Sequence, residues 1–542
     1  MVMLHSSPRS SQSLEPIMAV FASSFTCIGL DTPGYGLSDD FVSNPRELWE
    51  YTDALVTTLD TLSLGKVCLY GSATGGQICI QFSRKYPHRV ELLVLDSVGD
   101  FWEEEKRRIL NGYFQKITPV RDGSHLLRAW DMSRHLSVFF PWQSRRDTDR
   151  IVSDLPSPEL IQHQVNDYLR AGPGYAKAYR EAFNVENWEH AKDVSVPTIL
   201  TRNSASPISP FTDSLISKGL PSNYKVIDCN GANRLEVQTA AAKEMCGLIS
   251  DAPPPAIASN NHATLMQSSY VDTADGQLHA RVNFSGVGRP IMAIHDPAGS
   301  SALVEPILSP YIGRRPVLAL DNPGNGESDN ILSPDEISPE GYATILCQAL
   351  EKLGVREVDV IGRYSGGPVA MEMHFAQPTL VKHLALAGVG IFEGEEQRDL
   401  LENYTPSISP RWDGSHLLTA WGFMRDQSLY WPWYNRTKGG ILRIDGAFDV
   451  ALTDLRVREL LKVGDLYQRA YASMWTYPMR ERLSRVTVPC LLCVPPWEPI
   501  YNKSVEAAKS APNCLSVDLP ANMADWHYVL DAFFASNKYI LP

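Results

Sequence analysis

The stretch VDVIGRYSGGPVAMEMHF, residues 358–375, decides how this chain is read. Val358 to Ile361 is a short apolar run of the kind that forms a buried strand. Gly362 ends it, Arg363, Tyr364, Ser365 and Gly366 follow, and the remainder is rich in helix formers. Strand, sharp glycine turn, helix is the outline of a nucleophile elbow, G-x-Nu-x-G. Glycines stand two before and two after the central residue because side chains there would collide in so tight a turn. That central residue is expected to be Ser, Cys or Asp; here it is Tyr364. The same outline occurs at residues 67–76, VCLYGSATGG, with Ala73 at its centre. The chain carries two elbows, and neither holds an ordinary nucleophile.

Around the elbows the sequence repeats. HSSPRSSQSLEP (5–16) corresponds to HDPAGSSALVEP (295–306). DTPGYGLSD (Asp31–Asp39) returns as DNPGNGESD (Asp321–Asp329), 290 residues later. DGSHLL returns from Asp122 at Asp413, and Val196-Pro197 returns as Val488-Pro489. So small a drift in register is the mark of duplication. Three prolines in Asp251–Pro255, followed by small and polar residues to about Asn261, predict a stiff exposed linker over 251–261. The domains are then 1–250 and 262–542. The second opens with a predicted hairpin, Ser269–Val271 and Gln277–Val282 around Asp275-Gly276, followed by a strand at Pro290–Ile294. The first has only the counterpart of that third strand, Met1–Leu4; either it has lost two edge strands or the sequence begins late. Within each unit apolar runs alternate with helical patterns, which predicts βαβ units and a mostly parallel sheet flanked by helices. Long inserts rich in Trp, Tyr and Leu, about 101–190 and 392–482, predict helical lids over the strand ends, where ligands of open α/β sheets bind.

A net charge of −13 argues against a nucleic-acid or acidic-membrane surface. No run of about 18 apolar residues predicts a membrane span. The N-terminus lacks the basic start and apolar core of a secretory signal. Nine cysteines, mostly in apolar strands, read as buried reduced thiols, so the expectation is a cytoplasmic protein. Cys490 and Cys493 form a C-x-x-C, but on a strand i and i+3 point to opposite faces, which discounts metal or redox chemistry. The sequence calls for no metal and no cofactor.

The His-led loop (His295–Gly299), the D-x-P-G-x-G-x-S-D stretch, the elbow, the lid and the Pro-flanked acid site together resemble the α/β-hydrolase fold superfamily, along nearly the whole chain. The resemblance implies a Ser–acid–His machine with an oxyanion hole. In the first unit those positions fall on Ala73, Ser206 and Asn233, a methyl, a hydroxyl and an amide, which predicts a catalytically silent copy. In the second they fall on Tyr364 and Glu498, with Asn522 or Met523 at the base position and His527 as base if the loop is long. Oxyanion donors would be the backbone N–H of Ser365 and one in the loop at Asp296.

Several of these residues have a plainer reading. Tyr364 is an acid/base hydroxyl, or it plugs an abandoned pocket. Ser365 is a displaced nucleophile, or a tolerated small residue. Glu498 is a surviving acid, or a solvated loop residue. His527 is a base, or a helix-face residue beside Trp526. His125 and His416 face the pocket from the lid, or belong to a capped helix start. Trp431 lines an apolar pocket, or packs the lid on the sheet. The function expected is non-standard chemistry of lyase, isomerase or cyclase type, with hydrolysis not excluded, on a small or medium apolar carbonyl compound in the second domain. A Tyr of ordinary pKa near 10 is a poor nucleophile but a useful acid or donor. The alternative is a pseudoenzyme that binds a ligand or a partner protein.

Overall fold

The computed structural model describes residues 1–43, 47–247, 264–444 and 448–535; the linker expected at 251–261 lies outside the described residues. The chain divides into two compact units, Met1–Ser259 and Asn260–Pro542.

The first unit is built on six strands, β1 (Val2–Leu4), β2 (Ile28–Leu30), β3 (Val67–Ser72), β4 (Val90–Asp96), β5 (Thr198–Asn203) and β6 (Tyr224–Cys229). They lie in the order β2-β1-β3-β4-β5-β6, every pair parallel. Parallel neighbours need crossovers, and helices such as Thr74–Lys85 supply them. Alternate side chains feed two cores. Leu69 joins the cluster holding Ile78 and Phe82, whereas Cys68 and Tyr70 join Phe21 and Leu92 on the opposite face.

The second unit has eight strands: β7 (Gln267–Asp272), β8 (Gln277–Asn283), β9 (Ile291–Ile294), β10 (Val317–Leu320), β11 (Val358–Arg363), β12 (Val381–Ala387), β13 (Cys490–Val494) and β14 (Cys514–Asp518). Their order is β14-β13-β12-β11-β9-β10-β8-β7. β8 runs antiparallel to both β10 and β7, and the other pairs are parallel. Removing the hairpin β7–β8 leaves the strand order of the first unit. The difference shows in burial: β10 is covered by β8 and all four of its residues are buried, whereas β2, an edge strand, is half-buried throughout.

On β13, Cys490 and Leu492 enter one core while Leu491 and Cys493 enter the other, so the C-x-x-C thiols lie on opposite faces of the sheet. Both are buried and free. The insert of the first unit folds into helices between Glu103 and Lys192, and that of the second into helices between Gly394 and Ser484. Among the described residues no helix is long and apolar enough to cross a membrane.

Candidate active site

Both elbows keep the backbone of a nucleophile turn. Tyr364 has φ 47° and Ala73 φ 45°, in the left-handed region that L residues avoid. The glycines are sterically required. A Cβ on Gly362 would stand 2.6 Å from the carbonyl oxygen of Gly366, and one on Gly366 would stand 2.5 Å from that of Ile294. Each turn is pinned to the next strand, by Tyr364 N–H donating to Ala387 O at 2.8 Å and Ala73 N–H donating to Asp96 O at 2.9 Å.

In the second unit the elbow opens into a cavity of about 690 Å³, lined by the elbow, the loops after β9, β12, β13 and β14, and the insert. Of the residues singled out from sequence, Tyr364, Ser365, Asp296, Glu498 and Trp431 line it. The Tyr364 hydroxyl donates to Glu498 Oε1 at 2.5 Å. Its ring rests on Gly388 (φ 73°), where a Cβ would stand 2.6 Å from Tyr364 Cε1. Burial, followed by the Glu498 charge, pushes the phenol well above its ordinary pKa, so it remains protonated. Burial likewise raises the Glu498 carboxyl, against the opposing pull of the Tyr364 hydrogen bond and of Arg363 and Arg456.

Arg363, which the sequence reading passed over, sits beside them. Its guanidinium lies 4.3 Å from the Tyr364 ring centroid and its Nη1 is 3.3 Å from Asp296 Oδ2. The signal was available, since an Arg directly before the central elbow residue has few places to go but the site. Asp296 therefore brings a carboxylate to the place where an oxyanion would form. Pro297, next to it, has no N–H to offer. The Ser365 N–H has no acceptor among the described residues and remains available.

Two expected site residues lie elsewhere. His527 is not on the cavity wall: it begins the helix His527–Ala535, and its Nδ1 donates to Ala524 O at 2.8 Å. The loop after β14 reaches the cavity with Ala521 and Met523 instead, while the Asn522 side chain caps its own turn by accepting from Ala524 N–H at 3.2 Å. His416 is fully buried at a helix start, where its Nδ1 accepts from Arg411 N–H at 3.1 Å; burial lowers its pKa to about 4. His125 does the same with Val120 N–H at 3.3 Å. In both motifs the Asp accepts from the Ser N–H two residues on, at 3.0 Å, and the Gly is left-handed (φ 76° and 75°). The D-G-S-H-L-L repeat is thus a helix-start device. In the first unit Ser206 accepts from Ile208 N–H and Asn233 from Asn230 N–H, each serving its own turn.

A Ser–His–Asp line does exist, away from the cavity wall. Ser268 Oγ is 3.0 Å from His279 Nε2, and His279 Nδ1 is 2.8 Å from Asp321 Oδ2. Asp321 also accepts from the N–H groups of Ser301 and Glu327. The line ties the hairpin β7–β8 to the loop after β10, and none of its three residues lines the cavity.

The family model and the curated relatives point to the same fold. A family model described as the alpha/beta hydrolase fold matches residues 1–118. The chain is 22% identical over 213 residues to an (E)-2-((N-methylformamido)methylene)succinate hydrolase of Acinetobacter baylyi, covering 39% of this chain and 73% of that protein. It is 23% identical over 230 residues to 3-oxoadipate enol-lactonase 1 of the same organism, covering 41% of this chain and 77% of that protein. Other curated relatives are matched over less than half of their own length. Among solved structures, a hydrolase from Pseudomonas aeruginosa aligns with TM-score 0.38 and 18% identity, over 52% of this chain and 100% of that one. The chain has the α/β-hydrolase fold, and its relatives include hydrolases of weak identity.

Proposed function

We propose that the second unit is an α/β-hydrolase-fold enzyme in which Tyr364 and Glu498 act as one proton relay on a carbonyl compound, and that the first is a silent tandem copy. The observation that carries this reading is the Tyr364–Glu498 hydrogen bond at the elbow, inside the cavity. With Glu498 ionised, the phenol oxygen takes a proton from a carbon next to the substrate carbonyl while passing its own proton to Glu498. Tyr364 ends neutral, Glu498 protonated and the substrate an enolate. Arg363 and the Ser365 N–H stabilise the enolate oxygen. Returning the proton to another atom completes an isomerisation, and expulsion of a leaving group completes a lyase step. No serine ester is needed, and among the described residues no histidine lines the cavity to generate one. The relatives are named for a substituted succinate and an enol-lactone, which supports a carbonyl substrate.

The test is turnover of a carbonyl-compound panel, including activated aryl esters, by wild type, Tyr364→Phe and Glu498→Gln. Loss of about 10²- to 10⁴-fold in either variant is expected; unchanged turnover in both sinks the proposal. A second reading, a binding protein, draws on the mutual satisfaction of phenol and carboxylate and on the missing N–H at Pro297. A stoichiometric ligand complex without turnover selects it.

A further inference from the structure

Among the described residues three arginines line the cavity, Arg363, Arg443 and Arg456, against two carboxylates, Asp296 and Glu498. Asp296 pairs with Arg363 at 3.3 Å, and Glu498 accepts from the neutral Tyr364 phenol at 2.5 Å. Arg456, on the insert helix Val450–Val463, also lines the cavity. Its guanidinium donates only to neutral acceptors, Gln427 Oε1 at 2.5 Å and Met424 O at 3.5 Å, and it has no carboxylate partner among the described residues. A partly buried cation whose direct acceptors are all neutral is costly and favours an anion beside it.

The neutral polar groups on the same wall also donate. Burial raises the pKa values of Tyr404 and Tyr471, so both hydroxyls keep their protons, and neither has an acceptor among the described residues. The indole N–H of Trp475 is buried with no partner among the described residues. Trp431, Trp475 and Phe392 give the wall its apolar surface.

We infer that the cavity binds an amphiphilic carboxylate, its charged head on Arg456 and its apolar body against Trp431 and Trp475. A planar carboxylate fits a guanidinium in two parallel hydrogen bonds, and the phenols are available for its remaining lone pairs. This names the ligand class of the site proposed above and rests on that cavity being the functional one, though not on the proton relay. It narrows the expected small or medium apolar carbonyl compound to one that carries a carboxylate.

Octanoate and octanamide, equal in length and differing in charge, are the probes, and calorimetric titration at pH 7.5 is the measurement. Octanoate should bind wild type at least about tenfold more tightly. Arg456→Gln should bring the ratio below about threefold without weakening octanamide, and Arg456→Lys should retain part of it. Tyr364→Phe should keep the full ratio. Failure of the relay therefore shows as unchanged turnover in both Tyr364→Phe and Glu498→Gln, and failure of this inference shows in the ratio. Equal binding of the two probes by wild type, no binding of either at millimolar concentration, or a ratio that persists in Arg456→Gln overturns it. If Arg456→Gln does not fold, the wild-type ratio and Arg456→Lys decide.

Discussion

Tyr364 holds a conformation that costs free energy, φ 47°, on a turn built for a nucleophile it does not have. The surroundings accommodate it: Gly388 leaves room for the ring, Arg363 covers one face and Glu498 accepts the hydroxyl's hydrogen bond. Gly388→Ala should therefore cost about 1–3 kcal/mol in urea unfolding and displace the phenol. The double variant with Tyr364→Ala should cost less than the sum of the two single changes, because the clash is removed. Glu498 has its carboxyl raised by burial, and a base works only when ionised. The acid limb of activity should then have its midpoint above the ordinary Glu value of about 4.3, and higher still in the residual activity of Tyr364→Phe, which lacks the stabilising donor. A raised carboxyl favours the folded state at low pH and progressively less as pH climbs from about 4.3 through the folded value. Glu498→Gln should accordingly melt at or above the wild-type temperature at pH 7.

At the scale of elements, the elbow and the helix start show how a motif divides between chemistry and architecture. Gly366→Ala puts a methyl 2.5 Å from the Ile294 carbonyl, so β9 and the helix Gly366–Ala376 must separate. A loss of about 1–3 kcal/mol is expected, seen as a lower denaturation midpoint, together with loss of ligand binding. His416 behaves oppositely to a pocket residue. Its folded pKa of about 4 lies below the unfolded value of about 6.5. Its contribution is thus complete above pH 6.5 and is lost as pH falls from 6.5 toward 4. Denaturation midpoints at pH 7.5 and pH 5 should differ in wild type by more than in His416→Gln, with up to about 2 kcal/mol attached to this residue over that interval. Turnover at pH 7.5 should be unaffected.

For the whole molecule, each unit has its own pair of cores on the two faces of its own sheet. The cavity described above belongs to the second unit. Calorimetry with saturating octanoate should therefore raise one part of the thermal transition, by roughly 3 kcal/mol at a hundredfold excess over Kd, and leave the remainder in place. A uniform shift of the entire transition would contradict a site confined to one unit.

The sequence by itself determined the fold and the elbow, because both are written in local patterns. Apolar runs of strand length, glycines two either side of a central residue, and a repeat at a near-constant offset need no knowledge of distant contacts. It also placed Tyr364 and Glu498, since each lies at a fixed distance beyond a strand that the pattern identifies. Only the tertiary structure decided what stands around them. Arg456 reaches the cavity through the register of an insert helix, and helical spacing alone does not say which face meets the elbow. His416 and His527 carry chemistry that invites a catalytic role, yet backbone atoms within five residues in the chain occupy their Nδ1 atoms. The balance of charge in the cavity, three arginines against two carboxylates among the described residues, joins partners 67 and 134 positions apart, and only folding brings those terms together.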